Sequence, residues 1–362
     1  MHHPRKLRLG YIWANYHEQV IETLISSIFQ YHNRSKFEIY GYSLVDADDE
    51  FTEQMRSGCD VFTNLAQMSS VDAAQCIHSD RINILIDLGG YTSLNRPEIL
   101  ALQPAPIQVQ YLGDTSTMKS EFIQYILADS WLISDDLAAD YSQKIIELRH
   151  AFVASPLAIT PQLKSLRDFG LPSSTLRFCC FNRSDKFDLQ VFASWMRILQ
   201  QVPKSVLWLI ESNPEMNDTL CHLAQQQGIT PERLVFTPHL PLAEYQAAYS
   251  WADIFLDTFV ANTGAIAIHA LLAGTPIITC LGTTFVSRMG ASICAAMGLQ
   301  DALVGDTAIA YEQKAVYLAT EPNELPIMRR ILASHRHNLP LFQPQQWIAD
   351  LEAALWQVWQ RS

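Results

Sequence analysis

The chain has 362 residues, which fits two α/β domains, and its 49% hydrophobic content excludes a disordered protein. A formal net charge of −12 argues against a nucleic-acid-binding surface. No apolar run reaches the roughly 18 residues that a membrane span needs. The first strand candidate, "LRLGYIW" at 7–13, follows a basic start without the apolar core of a signal peptide. Further strands are expected at 37–44, 82–88, 107–112 and 125–132, with a helix at 18–32, and "KIIELRH" closes this half. Residues 156–175 are rich in Pro and Ser and read as a linker. The pattern then restarts, with strands expected at 176–182, 205–212, 233–240, 254–260 and 277–282. Helices are expected at 189–203, 216–229, 241–252, 287–299, 311–320 and 344–360.

Strand–helix alternation on this scale predicts parallel sheets covered by helices. The expected organisation is a Rossmann-like lobe over 1–155, the linker, and a second Rossmann-like lobe over 176–340. A terminal helix over 341–362 is expected to pack back on the first lobe. Ligands would enter a cleft between the lobes, beyond the carboxyl ends of the strands. Seven cysteines, an odd count without C-x-x-C spacing, predict reduced, mostly buried thiols in a cytoplasmic protein. No His/Cys cluster has zinc-site spacing.

The stretch "DTFVANTGAIAIHALLAGTP" (257–276) reads as strand end, tight turn, helix and turn. Backbone N–H groups at such a helix start favour an anion. Among the turn residues Asn262, Thr263, Gly264, Ala265 and Ile266, the only hydroxyl is that of Thr263.

Several segments resemble the catalytic region of the O-GlcNAc transferase/SPINDLY family. The most specific is "INILIDLGGYTSLNRPEILALQPAPIQVQYLGDTST". "KLRLGYIWANYHEQ", "FCCFNRSDKFD", "ADIFLDTF", "LLAGTPIIT" and "SRMGAS" match in order, so the similarity runs over nearly the whole chain. It implies the GT-B architecture, two doubly wound lobes. It also implies inverting, metal-independent transfer of a sugar from a nucleotide donor to Ser or Thr side chains. No cofactor is implied beyond the co-substrate, a UDP-sugar. The partners implied are that donor and a protein or peptide acceptor, or a separate repeat-bearing protein. The family's N-terminal helical repeats have no counterpart in this sequence, which begins at the first strand.

Carried over one at a time, the residues give a mixed picture. Lys186 matches the family's lysine on the donor diphosphate, where a cation offsets charge on the departing nucleotide. Asn182 is either a turn former or a ligand contact, and Arg183 lies in the same loop. The family's His-Thr-Thr at the helix start is replaced by Gly264, Ala265 and Ile266, and its ribose-binding acid by His269. Gly264 is either a turn glycine or a point of phosphate approach. In the base-contacting segment, Leu240 and Tyr245 stand at departed positions. In the first lobe the family's two active-site histidines align with Gln19 and Thr23. His17, with Glu18 and Glu22, is the candidate substitute as acid or base, or else a solvated loop residue. Gly113 would let backbone approach the sugar, and Asp114 either caps a turn or adds a carboxylate there. Arg288 is a ligand contact or a structural ion pair.

Two functions remain open from sequence. One is a glycosyltransferase with altered donor preference. The other is a degenerate family member that binds a partner or a nucleotide without turnover.

Overall fold

The computed structural model describes residues 6–14, 25, 28–47, 49–113, 115–155, 169–172, 174–264, 266–336 and 338–362. The chain divides into two compact units, 1–156 with 343–362, and 157–342.

The first unit holds seven strands: β1 (Leu7–Trp13), β2 (Phe37–Ser43), β3 (Val61–Asn64), β4 (Ile84–Asp87), β5 (Ile107–Gln110), β6 (Tyr125–Ala128) and β7 (Lys144–Glu147). Their order is β3-β2-β1-β4-β5-β6-β7, and every pairing is parallel. The second unit holds β8 (Leu176–Cys180), β9 (Ser205–Ile210), β10 (Leu234–Thr237), β11 (Ile254–Leu256), β12 (Ile277–Cys280) and β13 (Val304–Gly305). Their order, β10-β9-β8-β11-β12-β13, repeats the first. Each sheet therefore reverses direction once, between β1 and β4 and between β8 and β11. These are the topological switch points, where α/β sheets bind ligands. The architecture is GT-B, with two Rossmann-type sheets.

Central strands are apolar on both faces because helices cover both sides. β4 is buried at all four positions and β11 at all three. β5 departs from that rule. Its sequence, Ile-Gln-Val-Gln, has the alternation of a half-solvated strand, yet all four residues are buried. The glutamines hold the segments on either side of the strand instead. Gln108 Nε2 donates to Leu100 O (2.8 Å) and Phe122 O (2.6 Å), and Gln110 Nε2 to Ser116 O (2.8 Å).

The last helix, Pro344–Arg361, belongs to the first unit. It buries Trp347, Ile348, Leu351, Glu352 and Leu355, the stripe of an amphipathic helix. Trp347 Nε1 donates to Ala151 O at 2.8 Å. Glu352 Oε1 accepts from the Asn33 N–H (2.7 Å) and pairs with His32 Nδ1 (2.9 Å), whose Nε2 meets Tyr11 Oη at 2.8 Å. This buried chain ties the end of the sequence to β1. Burial lowers the His32 pKa, against the opposing pull of Glu352. Glu352→Ala would leave the buried His32 ring nitrogen without its partner and release the more exposed Asn33 N–H, so we expect it to destabilise the protein by about 1–3 kcal/mol. Urea unfolding checks this; a loss under about 1 kcal/mol would mean that water replaces the carboxylate.

Of the expected linker, 156–168 and 173 lie outside the described residues. Phe169 and Leu171 are buried, and the Phe169 ring lies 5.1 Å from that of Trp208 in the second unit. The expected helix at 18–32 also falls largely outside the described residues. Several elements had no counterpart in the sequence reading, among them the helices Glu50–Gly58 and Ser70–Ser79. β3 is short and only half-buried, and β13 has two residues. The helix Glu324–His335 carries Pro326 in its first turn, where proline is tolerated but reads as a breaker. All seven cysteines are free; Cys179, Cys180 and Cys294 are buried and the other four partly exposed, fewer buried than expected.

Candidate active site

The switch point of the second unit is built around Asp257, which directly follows β11 with its carboxylate fully buried. Oδ1 accepts from Thr258 N (2.9 Å), Thr263 N (2.8 Å) and Thr263 Oγ1 (2.5 Å). Oδ2 accepts from Thr279 Oγ1 of β12 at 2.8 Å. Burial raises the Asp257 pKa, and the hydrogen bonds from Thr263, Thr279 and Thr258 oppose that. The 258–263 turn is thus wound around one carboxylate. Asp87 does the same at the first unit's switch point, accepting from the N–H groups of Gly89 and Gly90, both at 2.9 Å.

Asn182 lies across the switch point, just beyond β8, and is 2% exposed. Its amide orientation follows from its neighbours. The Thr258 hydroxyl donates to Ala261 O, and the Thr263 hydroxyl to Asp257. Both can therefore only accept from Asn182 Nδ2, which they do at 2.8 and 2.9 Å. Asn182 Oδ1 is left buried, with no hydrogen-bond partner among the described residues.

Lys186 closes the short 3₁₀ turn Ser184–Lys186 after β8. Its Nζ donates to Asn262 O at 3.1 Å, so the lysine and the 258–263 turn are in contact. Among the described residues no carboxylate pairs with Lys186, because the adjacent Asp185 pairs with Arg183. An ammonium group has three N–H donors. One holds the turn, and two remain for a ligand.

The other candidates fall into distinct places. The Asn262 side chain is consumed internally, donating to Thr258 O (2.6 Å) and accepting from Gly290 N (3.2 Å). The Thr263 side chain is likewise committed. Gly264 has φ +60°, a left-handed conformation that favours glycine. Ala265 lies outside the described residues, and Ile266 opens the helix Ile266–Leu272. Arg183 is exposed, and Leu240 is half-buried in the loop before the helix Leu242–Tyr249. Tyr245 is buried, with its hydroxyl donated to Phe181 O at 2.5 Å. It braces the end of β8 from within. Arg288 Nη1 donates to Gly282 O at 3.1 Å. His17, Gln19, Thr23 and Asp114 lie outside the described residues. Gly113 is a glycine for an internal reason: a methyl group there would lie 2.1 Å from Leu88 O. Among the described residues no group of His, Cys, Asp or Glu could hold a metal ion. None of the helices among them is long and apolar enough to cross a membrane.

His269 is buried in the same helix, and burial pushes its pKa down to about 4. The unfolded chain would bind that proton near pH 6.5. Stability is therefore full above pH 6.5 and falls as the pH drops toward 4. With the folded-state pKa at about 4, the loss from pH 7.5 to pH 5 should be about 2 kcal/mol. Urea melts across that range should show it, with a shallower slope in His269→Gln. The slope should not vanish there, because His32 shifts in the same direction.

The glycosyl transferase family 41 model matches residues 1–164 and 157–351. The chain belongs to glycosyl transferase family 41. It is 32% identical over 363 residues to an Arabidopsis thaliana protein named probable UDP-N-acetylglucosamine–peptide N-acetylglucosaminyltransferase SEC, covering 98% of this chain and 37% of that one. A Caenorhabditis elegans UDP-N-acetylglucosamine–peptide N-acetylglucosaminyltransferase is 25% identical, with 99% and 41% covered. The chain thus spans about two fifths of the length of these relatives. The structure of an O-GlcNAc transferase mutant from Thermobaculum terrenum superposes with a TM-score of 0.90 at 25% identity, covering 99% of this chain and 68% of that one.

The sequence reading of this family 41 site missed the hub at Asp257. The signal was present: an aspartate directly after the apolar run Ile254–Leu256, followed by threonines. A carboxylate at the end of a buried strand must find donors, and a turn rich in N–H and hydroxyl groups supplies them.

Proposed function

We propose that the chain is a nucleotide-sugar-dependent glycosyltransferase that moves N-acetylglucosamine from UDP-N-acetylglucosamine to Ser or Thr side chains of a protein. The observation that carries this reading is Lys186, a cation with no carboxylate partner among the described residues, held against the Asn262 carbonyl at 3.1 Å on the carboxyl side of the switch point. The names of the family relatives supply the donor and the acceptor class.

In the proposed reaction the acceptor oxygen attacks the anomeric carbon and forms the new C–O bond with inversion. The bond from that carbon to the diphosphate oxygen breaks, and its electron pair leaves with UDP. The two free Lys186 N–H groups meet the charge that develops on the diphosphate, without a metal ion. The hydroxyl proton passes to a base, a role we assign to His17. Asn182 Oδ1 can take a donor from the ligand. Arg183 and Leu240 would lie at the nucleotide side, and the backbone of the Asn262–Gly264 turn would approach the diphosphate. Asn262, Thr263 and Tyr245 are given positioning roles, because their polar atoms are already bonded within the fold.

A second reading, nucleotide or partner binding without turnover, draws support from one feature. The helix start offers Gly264, Ala265 and Ile266, none with a polar side chain. Nucleotide release from UDP-N-acetylglucosamine, UDP-glucose and GDP-fucose separates the two. Release from one donor supports the enzyme. Binding without release from any of them, with and without acceptor protein, supports the second reading.

A further inference from the structure

The opposite end of the second sheet, where β11 and β12 begin, holds a cavity of about 260 Å³. One wall is the turn that closes the helix Ile266–Leu272, through Leu272, Gly274 and Thr275. The other is one face of the helix Glu324–His335 and its cap, through Arg329, Ala333 and Arg336. Steps of four and three residues put these last three on the same side. No carboxylate lines the cavity among the described residues.

The charge around it is unbalanced. The Asp253 carboxylate is shared between Arg177 (2.9 Å) and Arg329 (2.8 Å). Arg336 pairs with no carboxylate among the described residues. Its Nη1 reaches Leu272 O at 3.3 Å, and its Nε is buried without a hydrogen-bond partner. An unmatched buried donor on a cation is costly, and an anion would satisfy it. Helix carbonyls would ordinarily repel an anion at this end. Here Ala270 O and Leu271 O are taken by the N–H groups of Thr275 and Gly274, and Leu272 O by Arg336. Gly274, at φ +84°, makes that closure possible.

We infer that this cavity binds a small oxyanion, the phosphate or carboxylate group of a molecule smaller than a nucleotide, through Arg336 and Arg329. The site is separate from the proposed transferase site and stands whether or not that reading holds. The test is calorimetric titration with inorganic phosphate and with malonate, in a Lys186→Ala background that removes the other candidate anion site. Saturable binding of at least one probe is expected, and the tighter probe identifies the class. Arg336→Met should weaken it at least tenfold. Ala333 is exposed on the rim, so Ala333→Glu should fold normally and, by like-charge repulsion, weaken binding by a similar factor. If Arg336→Met does not fold, Ala333→Glu decides alone. No saturable binding of either probe, or binding unchanged in Ala333→Glu, would overturn the inference.

Discussion

Lys186→Ala is expected to lower sugar transfer by about 10²–10³-fold, the usual cost of removing one preorganised partner of transition-state charge. UDP affinity should fall too, because a hydrogen bond to a charged group contributes about 1.5–3 kcal/mol, roughly 10- to 150-fold. The parent affinity should itself be weak. The family's polar side chains at the helix start are absent, and Gly264, Ala265 and Ile266 make no such bonds. Asn262 and Thr263 cannot substitute, because their side chains are already bonded internally. Losing two or three contacts should weaken binding by about 10²-fold, into the high micromolar range. Calorimetry with UDP measures both quantities. Low-micromolar binding that survives Lys186→Ala would move the diphosphate site elsewhere.

Asp257→Ala should be among the most destabilising single changes in the second unit. The carboxylate is fully buried and accepts from two backbone N–H groups and two hydroxyls. Its removal leaves four donors without an acceptor, a loss of about 3–5 kcal/mol after relaxation. Asp257→Asn should recover only part of it, since an amide has one acceptor oxygen where the carboxylate uses two. The change should also free the 258–263 turn and, through Asn262 O, the Lys186 ammonium. Urea unfolding gives the stability term. UDP binding by the Asn variant, measured well below its melting temperature, gives the positioning term. A variant within about 1 kcal/mol of the parent would show that the buried carboxylate is replaceable by water.

How far the sequence speaks depends on what each segment has to satisfy. Central strands such as Leu7–Trp13 must be apolar on both faces, and their composition announces them. Val61–Asn64 and Val304–Gly305 lie at sheet edges, where little apolar surface is buried, so nothing marks them. The contact between Lys186 and the Asn262 turn was legible, because both follow neighbouring strands of a parallel sheet. The tasks of individual side chains were not. Tyr245 stands in a segment matched to base recognition, yet its hydroxyl serves Phe181 O, a contact set by tertiary packing. Gly113 follows a strand as a ligand-approach glycine would, but the space is filled by Leu88 O, 25 residues earlier in sequence and one strand away. Asp257 was visible, but its four donors come from β12 and from a turn whose winding the carboxylate itself determines.

The central claim is that this family 41 chain transfers a sugar with Lys186 as the counter-charge to the leaving nucleotide. Intact-mass spectrometry of a Ser/Thr-rich acceptor protein incubated with UDP-N-acetylglucosamine tests it most directly. The account predicts acceptor mass increments of one N-acetylhexosamine with the parent chain and none above background with Lys186→Ala. An unmodified acceptor with a parent chain that binds UDP, or equal modification by both proteins, would contradict it.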